Sequence, residues 1–220
     1  MAEYLIQDTT LTGIAEAIRE KTGGTDPVAV SDMAGKIAEI EAGGGDIDAL
    51  IDRSITEISS SSATSIGSYA FYSCIALTTA DFPVATSIGS DAFYSCVALT
   101  TADFPVATSI GSYAFYFCRA LTTADFPVAT SIESNAFRSC SKLKSLLLRG
   151  NNVCTLSNTS AFSSTPISSG TGYIYVPSSL IEQYKAATNW STYAARFRAL
   201  EEYTVDGTIT GELDPAKTGT

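Results

Sequence analysis

Three kinds of side chain recur at a spacing that lets them act together: carboxylates, phenols and thiols. Asp81, Asp103 and Asp125 lie 22 residues apart, each two positions after a threonine, Thr79, Thr101 and Thr123. Such a row of carboxylates can capture calcium or meet a cationic or sugar ligand. It is equally a solvated acidic face that keeps a sheet soluble, and both readings stand. Tyr72, Tyr94 and Tyr116, with Tyr69, Tyr113, Phe117 and Arg119, form a second candidate surface. A flat ring with a polar tip binds glycans and protein surfaces at small entropic cost, or packs half-buried between layers. Cys74, Cys96, Cys118 and Cys140 keep the same period, and Cys154 stands apart. Equivalent neighbours offer no preferred disulfide pairing, so this column is read as small buried apolar groups.

Several chemistries are excluded by what is missing. The chain has no histidine, which removes Ser-His-Asp and Cys-His catalysis, imidazole ligands and the usual general base. With no Cys-x-x-Cys pair either, zinc has no donor set. Three carboxylates in identical surroundings have no reason to diverge in pKa, so they make a poor acid–base pair. No phosphate loop, dinucleotide fingerprint or nucleophile elbow is present, and the chain is expected to be neither an enzyme nor a cofactor carrier. Lys and Arg number 13 against 23 Asp and Glu, a net charge of -10, which argues against a nucleic-acid partner. No run of about 18 apolar residues exists to insert into a membrane. The opening "MAEYLIQDTT" lacks a basic stretch followed by an apolar one, so synthesis in a cytoplasm without export is expected. On that ground the acceptor patterns at Asn158 and Asn189 are discounted.

The elements that position these residues follow from the period. Ile66, Ile88 and Ile110 form one column, continued by Ile132; Phe71, Phe93 and Phe115 form another, continued by Phe137. Leu77, Leu99, Leu121 and Leu143 form a third. A fixed period of 22 with apolar columns is a solenoid, in which each coil buries its apolar side only against its neighbours. "LTTADF" alternates in and out as a strand does, "ATSIG" is a second short extended stretch, and "SYAFYSC" is expected to make one or two helical turns. Ile55 and Ile58 announce a partial coil, with Ser60 at a phenylalanine position. Three columns vary between copies: Tyr69, Asp91, Tyr113, Asn135; Ser73, Ser95, Phe117, Ser139; and Ile75, Val97, Arg119, Ser141. They are expected to reach solvent.

The ends differ. Leu11, Ile14, Ala15 and Ile18 place an amphipathic helix over residues 9–21, and Ser31 caps a second helix bearing Met33, Ile37 and Ile40. Residues 1–42 are therefore a helical attachment module, 43–45 a glycine linker, 46–63 an N-terminal cap with the partial repeat and 64–172 the solenoid. Residues 173–203 are a helical C-terminal cap and 204–220 a hairpin and tail. In the cap, Tyr173 to Val176 is a last strand, and Ser179 with Glu182 offers a capping box. Leu180, Ile181, Tyr184 and Ala187 line one helix face, and Trp190, Tyr193, Ala194, Phe197 and Leu200 continue at helical spacing. These aromatics are read as core over the open end.

Leu77-x-x-Ala80-x-Phe82 follows the leucine-rich-repeat pattern, and the order "TSIG-x-x-AF-x-x-C-x-x-L" resembles the BspA-like leucine-rich repeat of bacterial surface and interaction proteins. The closing segment "AFSSTPISSGTGYIYVPSSLIEQYKAATNWSTYAARF" is similar to the end of such arrays. The fold class implied is an α/β repeat solenoid. "TLTGIAEAIREKTG" followed by "SDMAGKI" resembles the opening of phage and prophage structural proteins of gut bacteria. That resemblance implies a virion protein of tail-fibre, receptor-binding or decoration type. It would be held to other virion proteins through residues 1–42 and would present the solenoid to a host-surface protein or glycan. The alternative is a BspA-like adhesin or interaction module of a bacterial surface. Association with further copies through the apolar helix faces is also open.

Overall fold

The computed structural model describes residues 53–203. The expected N-terminal helices, the glycine linker and the hairpin at Asp206-Gly207 lie outside those residues. Each coil has three sides. The first carries the strands β1 (Glu57–Ser59), β3 (Thr79–Asp81), β5 (Thr101–Asp103), β7 (Thr123–Asp125), β9 (Ser145–Leu147), β11 (Tyr173–Val176) and β12 (Phe197–Ala199). The second carries β2 (Ser65–Ile66), β4 (Ser87–Ile88), β6 (Ser109–Ile110), β8 (Ser131–Ile132) and β10 (Thr155–Leu156). Strands pair in parallel, repeat upon repeat, so that Ala80 faces Ala102 and Ile66 faces Ile88. Period-2 alternation sends Ala80 and Ala124 inward and leaves their threonine and aspartate neighbours outside. The partial coil is real: β1 pairs with β3, Ile58 against Ala80, and Ser60 donates its N–H to Asp81.

The third side corrects the expected helical turns. Along 69–74 the amides alternate in purpose. Those of Tyr69, Phe71 and Ser73 donate to the carbonyls of Ser90, Ala92 and Tyr94 in the next coil, at 2.9, 2.7 and 2.7 Å. Those of Ala70, Tyr72 and Cys74 close local turns onto Gly67, Tyr69 and Phe71. A helix directs its N–H groups along its own axis and could not serve the neighbouring coil. The turns instead need left-handed residues at Tyr69 (φ 62) and Ser73 (φ 57), and the same is true of Asp91, Ser95, Tyr113, Phe117, Asn135 and Ser139. Gly89 and Gly111 mark where coils touch: a Cβ on either would lie 2.6 Å from backbone of the preceding coil.

The core is a set of ladders. Phe71, Phe93, Phe115, Phe137 and Phe162 stack face to face with centroids 5.1 to 5.7 Å apart. Burying each ring contributes roughly 2–3 kcal/mol. Phe162 arrives three residues late for the period, and the stack absorbs the insertion. All five cysteines are buried and free. The reading of the column as small buried groups gains a detail: Cys96, Cys118 and Cys140 point their thiols at the carbonyls of Phe71, Phe93 and Phe115, at 3.1, 3.2 and 3.0 Å.

One seam interrupts the stack. On the first side, β1-β3-β5 and β7-β9-β11-β12 are separate sheets, with no pairing between β5 and β7. The amides of Thr78, Thr100 and Lys144 reach the carbonyls of Thr56, Thr78 and Thr122. Across the seam, Phe104 and Phe126 stand 6.5 Å apart, against 5.5 Å for Phe82 and Phe104. The second side runs unbroken through all five of its strands.

The C-terminal end is closed by aromatics, as expected. Tyr184 is buried on α2 (Ile181–Ala186), which follows the short α1 (Pro166–Ser169), and Leu180 is buried at the end of the 3-10 turn Ser178–Leu180 that leads into it. The hydroxyl of Tyr184 accepts from the Cys154 amide at 2.9 Å, and the Trp190 indole donates to the Cys154 carbonyl at 2.6 Å. Two expectations fail here. The capping box is Thr165 with Ser168 on α1, and the start of α2 has no side-chain cap. The helical spacing from Trp190 onward gives 3-10 turns over Trp190–Arg196 and then β12, which adds a parallel strand to β11.

Candidate functional site

On the strand side, Asp103 and Thr101 are exposed while Asp81, Thr79, Thr123 and Asp125 are half-buried. Thr79 faces Thr101 and Asp81 faces Asp103 in register. Asp125 does not complete the row. The seam removes it from Asp103, its register partner is Leu147, and its carboxylate is held by Arg149. Among the described residues no group of three or more acidic, cysteine or histidine side chains could hold a metal ion. Beyond the seam the same face turns aromatic and basic. Tyr173 and Tyr175 project from β11, the Arg198 guanidinium lies 4.3 Å from the Tyr173 ring centre, and Tyr203 meets Tyr175 edge-on at 4.9 Å. Sequence reasoning missed this continuation, although the alternation in "YIYV" carried the signal.

On the turn side, Tyr72, Tyr94 and Tyr116 stack with centroids 4.7 Å apart and planes within 10° and 13°. Phe117 continues the stack on Tyr116 at 5.3 Å, and Arg119 caps it 4.0 Å from the Phe117 centre. Arg53 stands 6.0 Å from the Tyr72 ring at the other end. The ring faces are therefore occupied by one another, and the solvent meets edges and hydroxyls. Burial raises the Tyr94 phenol above its ordinary pKa, and Tyr116 and Tyr72 add to the shift, so it stays a neutral donor. Tyr69 and Tyr113 tilt away from this stack and are 47% and 37% exposed. Of the variable columns, Ile75 and Arg119 reach solvent as expected, but Asn135 is buried and accepts from Arg138. That column varies under a second constraint, its positive φ.

Two glycosylation patterns part company. Asn158 is exposed and caps the 3-10 turn at Thr159–Phe162. Asn189 donates its amide to the carbonyls of Leu156 and Ser157 and is not free for modification.

A family model described as BspA type leucine rich repeat region matches residues 52–188 in six copies. A leucine-rich repeat protein from Bacteroides ovatus is similar at 24% identity with a TM-score of 0.50, over 65% of this chain and 36% of that one. A leucine rich cell surface protein from Faecalibacterium prausnitzii aligns at 21% identity with a TM-score of 0.49, over 68% of this chain and 36% of that one. The chain thus spans about a third of the length of each. No curated protein matches it.

Proposed function

The chain belongs to the BspA-type leucine-rich repeat family, and from that premise we propose that it is a non-enzymatic interaction module whose solenoid docks a protein partner. The supporting observation is the pairing of a rigid interior with a varied exterior. The Phe, Cys, Leu and Ile ladders are buried in every full coil, while tyrosine, aspartate and threonine are arrayed outside them at fixed intervals and Arg119 ends the tyrosine stack. Interfaces are enriched in tyrosine and arginine on such preformed surfaces. A protein surface is favoured over a glycan because the stacked tyrosines offer no free ring face for a sugar to lie on.

Its setting has two readings. The resemblance of residues 1–42 to phage structural proteins favours a place on a virion. The repeat family fits a bacterial surface adhesin equally well. The interaction reading is tested by placing a photo-cross-linking residue at Thr101 on the strand side, and separately at the exposed Ile75 on the turn side, of the full chain. Saturable cross-links to one protein species from host or bacterial envelopes, competed by unlabelled chain, are expected. Cross-linking that neither saturates nor competes on either side overturns the reading.

A further inference from the structure

We propose that Tyr69, Asp91 and Tyr113 form a notch on the turn side that receives the guanidinium of an arginine side chain from the protein partner. This deepens the interaction reading above and rests on it. The three residues occupy one column in three successive coils. The Tyr69 amide bonds Ser90, beside Asp91, and the Asp91 amide bonds Ser112, beside Tyr113. At about 4.8 Å per coil, the carboxylate is centred between two rings anchored roughly 10 Å apart.

Four observations converge on a cation there. First, Tyr69 and Tyr113 are the exposed tyrosines of this side, standing outside the self-stacked Tyr72, Tyr94 and Tyr116. Second, Asp91 is half-buried, and the ion pairs formed among the described residues, Arg149 with Asp125 and Lys185 with Glu182, do not include it. Burial pushes its carboxyl pKa up and the Tyr69 hydroxyl only partly offsets this, so the charged form is incompletely compensated. Third, the first two copies differ at only two positions over residues 65–108, Tyr69 against Asp91 and Ile75 against Val97. Only one of those differences introduces a charge. Fourth, the chain carries a net charge of -10, which draws a cationic group to it.

Arginine suits the notch better than a metal ion or lysine. Calcium takes six to eight oxygens, and a single carboxylate with phenols does not supply them. A guanidinium is planar, stacks on aromatic faces and forks onto a carboxylate, where an ammonium offers only a point charge. The molecule already uses each half of this chemistry within itself, in Arg119 on Phe117, Arg198 on Tyr173 and Arg149 on Asp125.

The test uses the full chain, isotope-labelled for NMR, titrated with the peptide acetyl-Gly-Arg-Gly-amide and with its citrulline counterpart, which has the same shape without the charge. Saturable shifts are expected at the Asp91 amide and at the Tyr69 and Tyr113 rings, with the citrulline peptide at least about tenfold weaker. Asp91→Asn, and separately the pair Tyr69→Asn with Tyr113→Asn, should each weaken the arginine peptide about tenfold. Both variants fold, because Asn135 already fills the same left-handed position in the fourth coil. Equal binding of the two peptides, undiminished binding by Asp91→Asn, or shifts centred on Asp81 and Asp103 would overturn the notch. If the cross-links proposed above survive Asp91→Asn, the notch falls and the interaction reading stands.

Discussion

Arg149 grips Asp125 with two nitrogens, Nε at 3.1 Å from Oδ1 and Nη2 at 2.8 Å from Oδ2, and so fastens the end of β9 to the strand before it. The hydrogen bonds it donates to Asp125 raise the already high pKa of the guanidinium, with burial opposing them. Arg149→Lys keeps the charge but loses the fork. A loss of about 1 kcal/mol is expected in urea unfolding, smaller than for Arg149→Leu, which strands a half-buried carboxylate.

The thiol ladder sets a second expectation. Cys118→Ala removes a fully buried sulfur and its bond to the Phe93 carbonyl. A loss of about 1–2 kcal/mol in thermal or urea unfolding follows. Reductant added to the unmutated protein should leave its melting temperature unchanged, since the thiols are free. A lowered melting temperature would show that pairing supports the fold.

Alkali should unfold the array. Burial raises the thiol of Cys74 from its ordinary 9.0 to about 11, and those of Cys140 and Cys154 to about 12. A raised pKa means that the folded chain holds these protons more tightly than the unfolded one. The stability is therefore complete below pH 9 and falls as pH climbs from there toward 12, while the unfolded thiols ionise. Melting temperatures measured from pH 7 to 11 should decline above 9, and less steeply in a Cys140→Ala variant.

Positive φ at residues other than glycine leaves room for improvement. Ser95 sits at φ 57 and half-buried. Asparagine tolerates the left-handed region better than serine, so Ser95→Asn should raise stability by about 0.5–1 kcal/mol. The measurement is the urea midpoint, with an unchanged slope as the sign that only stability moved.

The virion setting has a direct check in mass spectrometry of purified phage particles from the source culture. Peptides from residues 1–42 and from the repeats at stoichiometric levels are expected if the chain is carried on a particle. Their confinement to the bacterial envelope would make it an adhesin.

Much of the solenoid was legible because one coil repeats its packing. The inward columns at Ile66, Phe71, Cys74 and Leu77, and the partial coil at Ile55 and Ile58, all lie where alternation and period place them. The turn side was not legible, because serine, tyrosine and phenylalanine carry no propensity for the left-handed φ that the inter-coil amide bonds impose on them. Phe197 and Leu200 obey helical spacing yet end as a strand and a 3-10 turn, since the unpaired edge of β11 gave this stretch a better partner than its own axis. The acidic row failed at Asp125 for a similar reason. Arg149, directly after Leu148, belongs to no repeating column, and only the fold brings it onto the aspartate one coil back.

The seam between β5 and β7 gives the array a mechanical asymmetry. The opposite sides are stitched at every coil and act like the spine of a book, while the strand side parts between its second and third full coils. Bending that opens the strand side stretches no backbone ladder there, whereas bending the other way presses Asp103 toward the carboxylate that Arg149 holds. The solenoid is thus a rod with one crease, and a partner lying across Thr101 and Thr123 would feel the angle of that crease.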